Sequence, residues 1–323
     1  MIAGLVLGGL GCESREQKVA RLLSNADAAR ANKQYAQAIK DYTEAINLNP
    51  EFAPAYPARA GIYILTAQYE RALRDLDTGI RLAPTNALAL EMRGMVYTQT
   101  KRYNAALTNF NLALKLRPSD VRVLKQRAQA FALSKDYTNA ILDLTRAAEL
   151  APNDPGIYSY RGRLFTLADM TNNALDDFNE ALDLKAEDFP ALFGRAELEV
   201  KTGAYQKGAR DFERALELRP DYPAAYNGYA WLLATCPDEQ VRDGKKAVEL
   251  ANKSCALSNW TNYAAVDTLA AAYAETGDYE QAVKYQKQAA GMEVPKDNLT
   301  NVVNRVDLYQ RHQPYRMSGK RYD

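Results

Sequence analysis

LEMRGMVYTQTKRYNAALTNFNLALKLRP, residues 90–118, carries landmarks that recur through most of the chain. Tyr103 belongs to a column with Tyr35, Tyr69 and Tyr137 at steps of 34 residues, and Tyr205 rejoins it after Thr171. Three positions on lies a small column: Ala38, Ala72, Ala106, Ala140, Ala174 and Gly208. Four further comes a bulky one of Tyr42, Leu76, Phe110, Leu144, Phe178 and Phe212, followed by Ala45, Gly79, Ala113, Ala147, Ala181 and Ala215. Pro50, Pro84, Pro118, Pro152 and Pro220 close their units, with Ala186 replacing one proline. A fixed period in the range of 20 to 50 residues means a stack of similar units rather than one globular core.

Within each unit apolar residues recur at three and four, and polar turns such as Asn32-Lys33-Gln34 and Thr202-Gly203-Ala204 divide the unit in two. That pattern predicts two helices per unit. The closing proline lacks an amide hydrogen and clashes with the preceding turn, so it stops the second helix. Ser119, Asp120 and Asp154 can then accept the free amides that open the next first helix, with Pro155 suited to its first turn. Alanine and glycine let helices approach closely, and one hairpin alone buries too little, so neighbours must share a core.

Leu90, Gly94, Tyr97, Tyr103, Ala106, Phe110, Ala113 and Pro118 together resemble the tetratricopeptide repeat. The resemblance implies an all-α fold, a right-handed α-α superhelix of helical hairpins closed by a C-terminal capping helix. Six hairpins are expected over 19–220. Two more, divergent, occupy 221–290, the first with about five extra residues in its central turn, and 291–323 hold the capping helix and tail. On that helix Leu299, Val302, Val303, Val306 and Leu308 are expected to face inward.

The opening segment, MIAGLVLGGLGC, is apolar for eleven residues and then polar from Glu13. A spanning helix needs about 20 apolar residues, so this run is too short to cross a bilayer and reads instead as a leader. Leu10, Gly11 and Cys12 resemble the lipobox of bacterial lipoproteins, although Gly9 stands where leucine is usual and no basic residue precedes Cys12. The resemblance implies removal of a leader over 1–11, lipid on Cys12 and a short tether over 12–18. The protein would then be held at a membrane in the periplasm, with Glu13 favouring the outer membrane. A cytosolic adaptor with an unmodified Cys12 is the alternative location.

Lys and Arg number 41 against 40 Asp and Glu, a net charge of +1, so no broad field draws nucleic acid. One histidine, His312, and three cysteines are too few for a zinc cluster, and the scattered glycines form no phosphate loop. No cofactor, metal or small-molecule substrate is expected. A thiol-redox enzyme using Cys236 and Cys255 is the competing chemical reading. Cys236 ends one helix and Cys255 lies about twelve residues into its antiparallel partner, roughly 15 to 18 Å away at about 1.5 Å per residue. A disulfide needs about 7 Å or less between α-carbons, so two buried free thiols are expected, a bridge being the alternative if residues 237–243 fold unusually.

Two charged columns follow the repeat. Arg59, Arg93, Arg127, Arg161 and Arg195 lie on first helices, and Asp41, Asp75, Asp143, Asp177 and Asp211 on second helices, with Asn109 interrupting. Equal and opposite columns predict internal pairing rather than a ladder for an acidic partner, and spacing leaves open whether each pair lies within a hairpin or joins two. By resemblance, partners dock on the inner face formed by first helices. The candidates there are Met92, Met95, Gln99, Lys125, Gln129, Ser159, Tyr160, Arg163, Phe193 and Glu197. Some family members grip a chain-terminal carboxylate with Lys, Asn and Arg; Tyr160 and Gly194 stand where such groups are wanted. The sequence therefore points to a non-catalytic scaffold for a protein or peptide partner.

Overall fold

A computed structural model of the protein describes residues 13–318, with no strand among the described residues. Cys12 lies outside them. The chain divides into two compact units, one through Ala151 and one from Pro152.

The first unit holds four hairpins: α1 (Arg15–Ala31) with α2 (Tyr35–Leu48), α3 (Ala55–Leu65) with α4 (Tyr69–Leu82), α5 (Ala87–Gln99) with α6 (Tyr103–Leu116), and α7 (Val121–Leu133) with α8 (Tyr137–Leu150). The second holds α9 (Pro155–Leu167) with α10 (Thr171–Leu184), α11 (Phe189–Lys201) with α12 (Tyr205–Leu218), α13 (Pro223–Thr235) with α14 (Gly244–Leu257), α15 (Tyr263–Glu275) with α16 (Tyr279–Ala290), and then α17 (Lys296–Gln310).

Helix α1 takes in residues 15–18, which the sequence alone assigns to a tether, because Ser14 and Gln17 form a reciprocal capping box. Asp120 and Asp154 cap α7 and α9 by accepting backbone amides, as their positions after proline suggest. Each of Lys33, Ala67, Lys101, Lys135, Asp169 and Gly203 turns the first helix into the second with φ between 55° and 87°. Only one of the six is glycine, so the turn geometry is imposed by the packed helices on either side rather than chosen by the turn residue.

The bulky column is the core: Tyr42, Leu76, Phe110, Leu144, Phe178 and Phe212 are each at most 1% exposed. The tyrosine column is not. Tyr35, Tyr69, Tyr103, Tyr137 and Tyr205 open the second helices and remain half-buried. Where the ring is phenylalanine, glycines make room for it. A Cβ on Gly94 would lie 2.7 Å from Phe110, and Cβ atoms on Gly162 and Gly194 would lie 2.9 and 2.6 Å from Phe178. Phe178 thus sits between its own hairpin and the next.

Helix α17 buries Val302, Arg305 and Tyr309, while Leu299 and Val303 are 40% and 46% exposed. The expected apolar inner face is corrected by a buried ion pair: Arg305 donates to Asp267 of α15 at 3.0 and 2.7 Å. The 302, 305, 309 spacing selects one face, and Val303 falls off it.

A candidate partner-binding concavity

The arginine column is structural. Arg59 donates to both oxygens of Asp75 at 2.7 Å, and Arg127–Asp143, Arg161–Asp177 and Arg195–Asp211 repeat this fork at 2.6 to 3.0 Å. Each pair joins the two helices of one hairpin, which resolves the pairing that spacing left open. Three of these guanidiniums also reach back to the preceding hairpin: Arg59 to Thr43 and Arg127 to Asn111, and in the second unit Arg195 to Asn179. Arg93 meets Asn109 at 2.8 Å and takes its charge partner, Asp77, from the preceding hairpin. Asp41 departs from the expected ladder. Asn25 stands where its arginine would be, and it accepts instead from Gln37 at 2.8 Å.

The second unit gathers five of the ten candidates, Ser159, Tyr160, Arg163, Phe193 and Glu197, around one hollow of about 570 Å³. Helices α9 and α11 form its walls, Phe178 of α10 its floor, and Tyr222, the residue before α13, one end. Phe189, Phe193 and Tyr222 make an aromatic corner: Phe189 stacks on Phe193 at 5.9 Å, and Tyr222 meets them edge-on at 4.9 and 5.4 Å. Arg219 lies 5.3 Å from the Phe189 ring and 5.7 Å from Tyr222, so a cation braces the corner. One turn beyond Phe193 on α11, desolvation raises the Glu197 carboxyl above its ordinary value while the Arg163 charge opposes it. Burial likewise pushes the Tyr160 phenol up, again against Arg163.

The other five candidates belong to the first unit. Met92, Met95 and Gln99 ride on α5, and Lys125 and Gln129 on α7. Met92 packs against the core cluster of Ala60, Tyr63 and Leu76, so it serves the interior at least as much as a surface. Phe189, Pro190 and Tyr222 also line the hollow and do not stand out in the columns, because they occupy helix starts, where residue types vary between repeats. The signal available was Phe189 with Phe193, four apart on one helix face.

Cys236 and Cys255 are both free and buried. Burial raises the Cys236 thiol and pushes Cys255 up to about 11, the opposite of what a thiolate nucleophile needs. Among the described residues no group of His, Cys, Asp and Glu could hold a metal, and no helix is long and apolar enough to cross a membrane.

Repeated hairpins with a shared core and a lined hollow define an α-α repeat protein of the binding kind. A family model described as tetratricopeptide repeat matches residues 66–121, 102–155, 171–223 and 193–235, and a second of the same description matches 26–52 and 263–293. The chain belongs to the tetratricopeptide repeat family. Solved structures agree on the fold. The APC/C hetero-tetramer Cut9-Hcn1 matches 88% of this chain and 55% of that one at 15% identity and a TM-score of 0.63. The C-terminal part of a repeat protein from Cytophaga hutchinsonii matches 76% and 99% at 19% identity and 0.61. MamA from Desulfovibrio magneticus matches 54% and 98% at 17% identity and 0.51. No curated protein matches the sequence.

Proposed function

We propose that the protein is a non-catalytic scaffold that holds a partner peptide or helix in the concavity between α9 and α11, while lipid on Cys12 keeps it at a membrane of the bacterial envelope. The observation that carries the binding reading is the preformed hollow itself. It offers an aromatic corner of Phe189, Phe193 and Tyr222 for an apolar side chain, with Arg163 of α9 and Glu197 of α11 for charged neighbours. Rigid aromatic anchors beside opposite charges give both affinity and register. The raised thiols speak against redox chemistry as the competing use.

A random peptide library displayed on phage and selected on the full chain provides the probe. Selected peptides should bind a Tyr160→Ala/Phe193→Ala variant at least ten-fold more weakly, about 1.4 kcal/mol, with helix content unchanged. An Arg163→Glu variant, which touches no core residue of the hollow, should change which peptides are selected. Undiminished binding in both variants would move the site elsewhere. For the anchor, the intact mass of membrane-extracted protein should show loss of residues 1–11 and a lipid-sized addition that Cys12→Ser abolishes. An unmodified soluble chain would make it a cytosolic adaptor.

A further inference from the structure

The chain does not simply stop after α17. It turns at His312, whose φ is 57° and whose ring stacks on Tyr279 at 4.9 Å, and residues 313–318 continue without regular structure. Three consecutive residues of this strap then bind the body of the second unit in three different ways. The Tyr315 ring lies 5.5 Å from Trp231 of α13, and the Arg305 guanidinium faces both rings at 5.2 and 5.4 Å. Arg316 pairs with Glu275 of α15 at 2.6 Å. The Met317 amide donates to the Thr235 carbonyl at 2.9 Å, and its side chain packs on the cluster that includes Leu232 and Tyr309.

The surface under the strap has a repeat address. Trp231 stands 34 residues after Glu197 and 68 after Arg163, so it is the next hairpin's counterpart of the two charged walls of the hollow. Beside Tyr315 a space of about 320 Å³ stays open, lined by Asn227, Tyr263, Asn298 and Asn301. The strap therefore occupies part of a hollow and leaves the rest free.

We propose that this surface is a second peptide-binding site, selective for an extended partner segment reading aromatic, basic, apolar, and that Tyr315-Arg316-Met317 is a tethered occupant which such a segment displaces. The Trp231–Arg305 platform takes the aromatic ring, Glu275 the basic side chain, and the Thr235 carbonyl the amide of the third residue. Withdrawal of the strap leaves no buried charge unpaired. Glu275 keeps Arg242 at 2.9 Å, and Arg305 keeps Asp267 while still facing Trp231. One backbone hydrogen bond, from Met317, and a long one from the Arg316 guanidinium to the Ala234 carbonyl at 3.5 Å join the strap to α13, so release breaks no ladder. Tethering presents the strap at an effective concentration on the order of millimolar, which a free segment must overcome. This site is separate from the α9–α11 hollow, and either can fail without the other.

The probe is a labelled peptide with the sequence of residues 311–318, RHQPYRMS, titrated by fluorescence anisotropy into full-length protein. The full-chain variant Tyr315→Ala/Arg316→Ala should bind it at least ten-fold more tightly than the wild type. A peptide with alanine at the tyrosine and arginine should bind neither. The single variant Arg316→Glu, which sets two carboxylates against each other at Glu275 and leaves the Tyr315 and Met317 side chains in place, should bind at least three-fold more tightly and covers a double variant that misfolds. Equal affinity for wild type and folded variants, or no binding to either variant, would overturn the proposal and leave the strap as packing.

Discussion

Glu199 stands in a column that is aromatic in the four preceding hairpins, at Tyr63, Tyr97, Phe131 and Phe165, and apolar at its two ends, Ala29 and Leu233. In three of those hairpins the arginine four residues earlier lies against the ring, Arg59 on Tyr63 at 5.8 Å, Arg127 on Phe131 at 5.9 Å and Arg161 on Phe165 at 5.8 Å. Glu199 instead puts a carboxylate in the same buried place, 8% exposed, with no hydrogen bond to its Oε2. Desolvation, with the nearby Asp211 charge adding to it, pushes its pKa up to about 7. Between the ordinary 4.5 and 7 the folded chain holds a proton that the unfolded chain has released, so this residue makes stability fall as pH rises through that window. The full effect, reached above pH 7, is roughly 3 kcal/mol. Glu199→Gln should therefore melt higher than wild type at pH 8 and close to it at pH 4, as thermal unfolding at the two pH values would show. An equal gap at both would mean the carboxylate does not titrate in this window. The substitution is visible in the alignment of repeats. Its consequence is not, because the burial of that column depends on how α11 packs.

At the scale of the element, α17 shows what a hydrophobic pattern leaves out. Its existence is legible from five apolar residues at helical spacing, yet two of them, Leu299 and Val303, face solvent. The deciding contact is polar. Asp267 accepts from Arg305 and, at 2.6 Å, from Gln286 of α16, while Gln286 also donates to the Val302 carbonyl at 2.9 Å. One carboxylate thus joins α15, α16 and α17, and no periodicity in the sequence marks residues 267, 286 and 305 as partners. Removing the cation strands a buried charge, which costs about 3 to 5 kcal/mol in comparable pairs. Arg305→Met should raise amide exchange throughout α17 and lower the melting temperature, whereas adding Asp267→Leu should recover part of the loss. A double variant no more stable than the single would show that the loss comes from missing Arg305 contacts rather than from a stranded Asp267 charge.

For the whole molecule, the repeat columns made the hairpins legible, because each buried position is dictated by contact with the same neighbour in every unit. What spacing could not show was where the units differ. The aromatic corner of Phe189, Phe193 and Tyr222 and the strap over Trp231 both use aromatic side chains at positions where the preceding repeats carry other residue types, and both are features of the second unit. Function in a repeat protein resides in such departures, while stability resides in the regularity. Phe178 belongs to the regular part, at 1% exposure between Gly162 and Gly194. Its truncation to alanine should cost about 3 to 5 kcal/mol, as large core deletions do. Because each hairpin contacts only its neighbours, that loss should be local: hydrogen exchange should quicken most in α9 to α12 and be unchanged in α15 to α17 and in α1 to α4. Uniform acceleration along the chain would instead mark one cooperative unit, in which a hollow lined by Phe178 could not be loosened without loosening everything.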